Sequence, residues 1–259
     1  SDEGLSAVVI TQVRYGNGLG TLLSAQCDYN RETRGGGHGD YRCLVFAPAS
    51  VQEFVDLMRP AYELAEKYRV VSVMMGEATL GQMMELPDFV EAERTPWALN
   101  GHYTYKKIGI FERDSMKEAV ELVDKYNTIR ENEQRWEDEG LEDADYVFVS
   151  YGVPGRSTLG AVRELRAQGE KVGIIRPITV WPFPEKAFYK INPNVKGILT
   201  VEANATGQLV DDAALYTKKA LKEHNVPAYA LTYVFGTPTI RNIKKDYFEV
   251  KSGSKKEVY

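Results

Sequence analysis

Arg14 and the glycines that follow it, in Arg14-Tyr-Gly-Asn-Gly-Leu-Gly20, form the sharpest chemical feature of the chain. A guanidinium presents two parallel donors, which suits a carboxylate. Gly16, Gly18 and Gly20 alternate, so the backbone can turn tightly and approach a ligand. The spacing is not the Gly-x-Gly-x-x-Gly of a dinucleotide site, which leads straight into a helix. The same residues also fit a glycine-rich surface turn with an exposed arginine. A second loop, Arg34-Gly-Gly-Gly-His-Gly-Asp-Tyr41, orders three consecutive glycines at an entropic cost, which suits a flexible loop or one held against a ligand or partner. His38 within it can titrate near neutrality, or serve as a hydrogen-bonded structural residue.

Other chemistries find little support. His102 and His224 lack ligand-like spacing to His38, so no metal site is expected. Cys27 and Cys43 are too few for an iron–sulfur cluster, and they suggest a reducing, cytoplasmic setting. No Gly-x-Ser-x-Gly elbow and no Walker loop occur. Glu202-Ala-Asn204 follows a strand and Gly207-Gln208 opens a helix, a placement for either a polar site or a helix cap. The pairs Met74-Met75 and Met83-Met84 read as apolar gap-fillers.

The elements that must position these residues alternate. Ala7–Val13 is a β-branched run that ends at Arg14, so Arg14 stands at a strand's C-terminal end, where open α/β sheets bind ligands. Cys43–Ala47 and Val70–Met75 are strand-like. Between them, 51–68 has apolar residues at helical spacing behind a Ser50/Glu53 capping box. Strand, helix, strand in this order is a βαβ unit. Residues 76–113 read as a connector. A long charged helix is expected over 115–138, opened by Ser115 and Glu118, with Val120, Val123 and Tyr126 as its apolar stripe. Beyond it, strands near 145–151, 171–175, 196–201 and 228–234 alternate with helices over 157–168 and 207–223. Pro177–Pro184 reads as a rigid loop and the end from Lys251 as a frayed or partner-bound tail. The fold class is therefore α/β with two parallel-sheet domains. The expected division is 1–113, a linking helix over 114–143, and 144–259.

Composition agrees with a globular α/β chain: 259 residues, 43% hydrophobic and 27% charged. With 32 Lys and Arg against 37 Asp and Glu, the net charge is −5. Neither nucleic acid nor an anionic membrane is an expected partner. No apolar run reaches the roughly 18 residues of a membrane span. The start, Ser-Asp-Glu-Gly-Leu-Ser, has no basic or apolar signal region, which suggests a truncated or processed chain.

Taken together, several stretches resemble one family. Arg14-Tyr-Gly-Asn-Gly-Leu-Gly-Thr21 is similar to the Arg-Gly-Gly-Pro-Gly-Leu-Gly-Thr loop of 2-oxoacid:ferredoxin oxidoreductase α subunits. Gly35-Gly-Gly-His-Gly-Asp-Tyr-Arg42, Leu44 to Glu53, Leu64 to Arg69, Gly81 to Glu85 and Pro96 to Leu99 resemble the same family. So do Ser150-Tyr-Gly152, Arg156, Arg176 to Pro184 and Val201 to Asn204. The Gly-Gln-Met-Met-Glu and Trp-Ala-Leu stretches look most like the 2-oxoisovalerate, branched-chain type.

The resemblance implies a partial thiamine-diphosphate pyrimidine-binding domain followed by a transketolase C-terminal-like domain. It implies oxidative decarboxylation of a 2-oxoacid with coenzyme A, giving acyl-CoA, carbon dioxide and reduced ferredoxin, in anaerobic metabolism. Arg14 would be the catalytic residue that holds the substrate carboxylate, beside Tyr15 and Asn17. Gly16, Gly18, Gly20 and His38 would face the cofactor. Thiamine diphosphate would be shared with a partner chain, and Mg2+ and [4Fe-4S] clusters would lie on β- and γ-type partner subunits of a hetero-oligomer. The family's substrate loop and its activating glutamate lie upstream of Ser1. Tyr15 and Asn17 stand where many relatives have Gly and Pro, which opens the alternatives of 2-oxoglutarate or oxalate as substrate. A noncatalytic scaffold subunit is the third reading.

Overall fold

A computed structural model describes residues 5–16, 21–89, 115–222, 224–234 and 236–259. In chain order the elements are β1 (Ala7–Val13), α1 (Tyr29–Arg34), β2 (Leu44–Phe46), α2 (Val51–Tyr68), β3 (Val71–Glu77) and α3 (Ala78–Gln82). After the undescribed stretch come α4 (Ser115–Asn132), β4 (Trp136–Glu139), β5 (Tyr146–Val149), α5 (Gly152–Ala167), β6 (Val172–Pro177), β7 (Thr179–Trp181) and α6 (Glu185–Phe188). The chain ends with β8 (Gly197–Glu202), α7 (Leu209–Ala220), β9 (Ala228–Thr232) and α8 (Ile240–Lys251).

Two sheets form. The first has the order β1-β3-β2-β7, and β1, β3 and β2 run parallel. Helix α2 is the crossover that a parallel pair requires. Ser50 caps it by accepting the Glu53 N–H at 3.1 Å. The Glu53 carboxylate accepts from Ala49 N–H at 2.6 Å, one residue before the cap, and forks onto Arg176. The expected reciprocal box is thus half formed, because Glu53 also neutralises a buried arginine from β6. Leu57, Ala61, Leu64 and Tyr68 line the buried face of α2.

The second sheet has the order β4-β6-β5-β8-β9, parallel except for β4 at the edge. Its central strands are buried on both faces. Phe148, Ile174 and Leu199 pack on one face with Leu165 and Tyr247 of α5 and α8. Val147, Ile175 and Ile198 point the other way, into a core shared with α2 and the first sheet.

Several expectations change. The linking helix ends at Asn132 rather than 138, and Trp136–Glu139 then pairs antiparallel with β6. Val120 and Val123 are 58% and 57% exposed; Ile129 and Tyr126 are what α4 turns inward. Of the expected stripe, Tyr126 packs on the core as expected, whereas Val120 and Val123 face outward. The Pro177–Pro184 loop contains β7, which leaves the second sheet and pairs with β2 of the first. Helix α5 starts at Gly152, five residues earlier than Ser157. The tail does not fray. Ile243, Tyr247 and Val250 bury α8, and Val258 and Tyr259 return to bond the backbone of Ala228. The second capping box cannot be assigned, since the Ser115 side chain lies outside the described residues.

Candidate functional site

Parallel strands leave their C-terminal ends at one edge of the sheet, and β1 and β3 end together: Val13 pairs with Glu77. Arg14 follows directly. An isolated antiparallel bridge joins Arg14 to Ser24, and Tyr15 N–H donates to the Leu23 carbonyl at 2.8 Å. Thr21 N–H donates back to the Tyr15 carbonyl at 2.9 Å. Arg14 and Tyr15 therefore stand at the sheet edge, paired with the segment 21–24. Gly16 has φ 127°, which favours glycine. Arg14 is half-buried, and its Nη1 donates to the Thr21 carbonyl at 3.4 Å. Asn17, Gly18 and Gly20 lie outside the described residues.

Beyond this paired edge, the segment after Ser24 reaches the second sheet, where Gln26 N–H donates to the Ala203 carbonyl at 2.7 Å. The Ser24 hydroxyl accepts from Thr79 N–H at 3.2 Å. Gln26 then bridges: its Nε2 donates to Glu77 at 2.7 Å and to the Tyr151 carbonyl at 3.0 Å, while its Oε1 accepts from Ala203 N–H at 3.0 Å. Glu77 also accepts from Val153 N–H at 3.1 Å. Burial pushes the Glu77 carboxyl up to about 7, because these bonds and its own N–H offset only part of the desolvation. Gly152 has φ 60°, and a Cβ there would stand 2.1 Å from Glu77 Oε1, so the carboxyl needs glycine opposite it. The Tyr151 hydroxyl is buried with no hydrogen-bond partner.

Glu77, Gln26 and Gly152 carry much of this junction, and the sequence analysis named none of them as site residues. A signal was available: an acidic residue ends a buried parallel strand and begins the next helix. It was hidden because the strand was read as ending at Met75.

Helix α1 docks on α7. Tyr29 and Arg34 both bond Asp212, the arginine through two bonds of 2.8 and 3.0 Å. The triple-glycine loop then turns outward. Gly36 N–H donates to the Tyr41 hydroxyl at 2.8 Å, and added side chains at Gly37 and Gly39 would meet open space. His38 is exposed on this separate loop. Arg14, Tyr15 and Gly16 share one structural unit; His38 belongs to another.

The Glu202 region resolves into a cap. Glu202 is fully buried and accepts from Thr200, from the Asn204 amide, and from the N–H groups of Gln208, Leu209 and Val210. The positive end of α7 is filled by the chain's own carboxylate, so no ligand site remains there. Among the described residues, no group of three His, Cys, Asp or Glu is placed to hold a metal. Cys27 and Cys43 are free thiols, and burial pushes the Cys43 thiol up.

Comparison with known proteins agrees with this geometry. The family described as pyruvate:ferredoxin oxidoreductase core domain II matches residues 144–241. The ketoisovalerate oxidoreductase subunit VorB of Methanothermobacter marburgensis is 41% identical over 218 residues, 80% of this chain and 62% of that protein. The chain belongs to the 2-oxoacid:ferredoxin oxidoreductase family. A second relative, the 2-oxoglutarate synthase subunit KorA of Methanocaldococcus jannaschii, is 34% identical and covers 82% of this chain and 66% of that protein. In fold, the chain is similar to a 2-oxoglutarate:ferredoxin oxidoreductase from Magnetococcus marinus, with TM-score 0.74 over 95% of this chain and 49% of the other, at 20% identity. The chain thus spans about three-fifths of the length of the ketoisovalerate relative. Within the family, the junction of Gln26, Glu77 and Gly152 is what ties the Arg14 edge of this member to its second sheet.

Proposed function

We propose that the chain is a subunit of a complex that oxidatively decarboxylates a 2-oxoacid. The acid and coenzyme A give acyl-CoA, carbon dioxide, two electrons for ferredoxin and one proton. The observation that carries this reading is the position of Arg14, bridged to Ser24, at the joint C-terminal end of β1 and β3, within a family whose named members are 2-oxoacid oxidoreductases. Arg14 binds and orients the substrate carboxylate. Tyr15 and Asn17 shape the pocket beside it, and Gly16, Gly18 and Gly20 let the backbone come close. The greater similarity to the ketoisovalerate subunit favours a branched-chain acid over 2-oxoglutarate.

Glu77 does not offer thiamine diphosphate a free acidic partner. Glu77, the carboxylate at the end of β3, is buried, with Oε1 facing Gln26 and Oε2 facing Val153 N–H. Thiamine diphosphate, Mg2+ and [4Fe-4S] clusters are assigned to the assembly with β- and γ-type partner subunits, with His38 and its loop facing that interface. A cytoplasmic location accords with helices none of which, among the described residues, is long and apolar enough to cross a membrane. A two-domain division near 114–143 accords with the family match that begins at residue 144.

Steady-state kinetics of Arg14→Lys in the whole complex test the assignment. Loss of a forked, charge-assisted bond should lower kcat/KM for the 2-oxoacid by roughly 10- to 150-fold. The KM for coenzyme A should hardly change. A near-normal kcat/KM for the acid would mean that Arg14 is a turn arginine only.

A further inference from the structure

A cavity of about 180 Å³ lies at the opposite edge of the first sheet, where β2 and β3 begin. Arg42, Arg69 and Lys125 line it together with Tyr41, Tyr126 and Cys43. They come from three places in the chain: the turn before β2, the end of α2, and the middle of α4. Among the described residues, no carboxylate lines the cavity, although the chain as a whole carries a net charge of −5.

The polar groups around it are donors. Arg42 Nη1 bonds the Thr33 carbonyl at 3.4 Å, which uses one of its five N–H groups. Arg69 faces Glu66 at 4.0 Å, and Glu66 also accepts from the Ser6 hydroxyl. The Tyr126 hydroxyl accepts from Arg42 N–H at 2.9 Å, and the Tyr41 hydroxyl accepts from Gly36 N–H at 2.8 Å. Each hydroxyl keeps its own proton to donate. The Lys125 ammonium lies 5.6 Å from the Tyr126 ring centre. Arg69 holds φ 54° at the end of α2, a position that glycine occupies with less strain. An arginine kept there brings a guanidinium to the cavity.

We propose that this cavity binds a phosphate-type dianion. Two guanidinium forks, an ammonium and two hydroxyls offer more donors than the two oxygens of a carboxylate accept, whereas a phosphoryl group presents three or four oxygens. The ligand is either free phosphate or the phosphoryl end of a larger molecule. The site is separate from the Arg14 edge, since parallel strands place their two ends at opposite edges of the sheet.

Titration of the full protein in its assembled complex, followed by calorimetry, tests this with inorganic phosphate, pyrophosphate and AMP as probes, and with chloride at matched ionic strength as control. Saturable binding of at least one phosphate probe, and none of chloride, is expected. Preference for inorganic phosphate supports a free-ion site; preference for pyrophosphate or AMP supports a phosphoryl-bearing ligand. Arg69→Gly should weaken binding at least tenfold while leaving Tm unchanged or raised, because glycine suits that backbone angle. Lys125→Gln, on the surface of α4, should weaken binding by a smaller factor without unfolding. No saturable binding of any phosphate probe, or undiminished binding in both variants, would overturn the proposal.

Discussion

Glu77 and Glu202 each end a buried parallel strand, one in either sheet, and they are 3% and 0% exposed. Their surroundings differ in the number of donors supplied. Glu202 sits under the first turn of α7 and collects three N–H groups from it, plus Thr200 and Asn204. Glu77 faces one amide of Gln26 and the N–H of Val153. A buried carboxylate is stable as an anion when hydrogen bonds replace its lost hydration, and its proton affinity rises when they do not. The lesson is that position at a strand end does not define a site; the supply of donors does. Glu202 is structural, and Glu77 is a titrating joint between the two sheets.

The largest expected effect is at Glu202. Glu202→Ala removes the acceptor for five donors, three of them at a buried helix start, and should cost about 4 kcal/mol of stability. Denaturant unfolding measures it, and a loss under 1 kcal/mol would mean that water replaces the cap and that the comparison is wrong.

Next comes the pH dependence from Glu77. Its folded value of about 7 lies above the ordinary 4.5, so between these values the folded state holds a proton that the unfolded chain has released. This contribution is present below pH 4.5 and is lost as pH rises through 7, amounting to about 3 kcal/mol. Glu77→Gln should flatten that part of the stability profile between pH 5 and 8. An unchanged slope would assign the titration elsewhere.

Gly152→Ala should cost about 2 kcal/mol, since the new Cβ would meet Glu77 Oε1 at a positive φ. The cost should shrink in a Glu77→Ala background, where the clash is gone and only the backbone term remains. Equal costs in the two backgrounds would show that the two residues are not coupled.

The smallest effect is at Tyr151, whose hydroxyl is buried without a partner; burial, and then the nearby Glu77 and Glu202, push its pKa up. Tyr151→Phe should raise stability by about 1 kcal/mol, because it removes an unpaid desolvation of a polar group. A fall in stability would reveal a bond that the structure does not display.

The sequence by itself determined the α/β class, helix α2 to the residue, and the family, because these rest on local patterns. Apolar spacing, caps and the Arg14 loop motif are all properties of short segments. It also placed Arg14 at a strand end, since β-branched runs stop where glycine begins. The tertiary structure decided what depends on residues far apart in the chain. Trp181 joins β2 because Arg176 and Glu53 hold β6 against α2 across more than a hundred residues. Val120, Val123 and Tyr126 form one stripe by spacing, yet of these only Tyr126 meets the core, beside Ile129. Glu202 and Glu77 read alike in sequence, each an acidic residue after a strand. The five donors of Glu202 lie within eight residues of it, three of them at the start of α7, whereas only the fold brings Gln26 and Val153, distant in sequence, to Glu77.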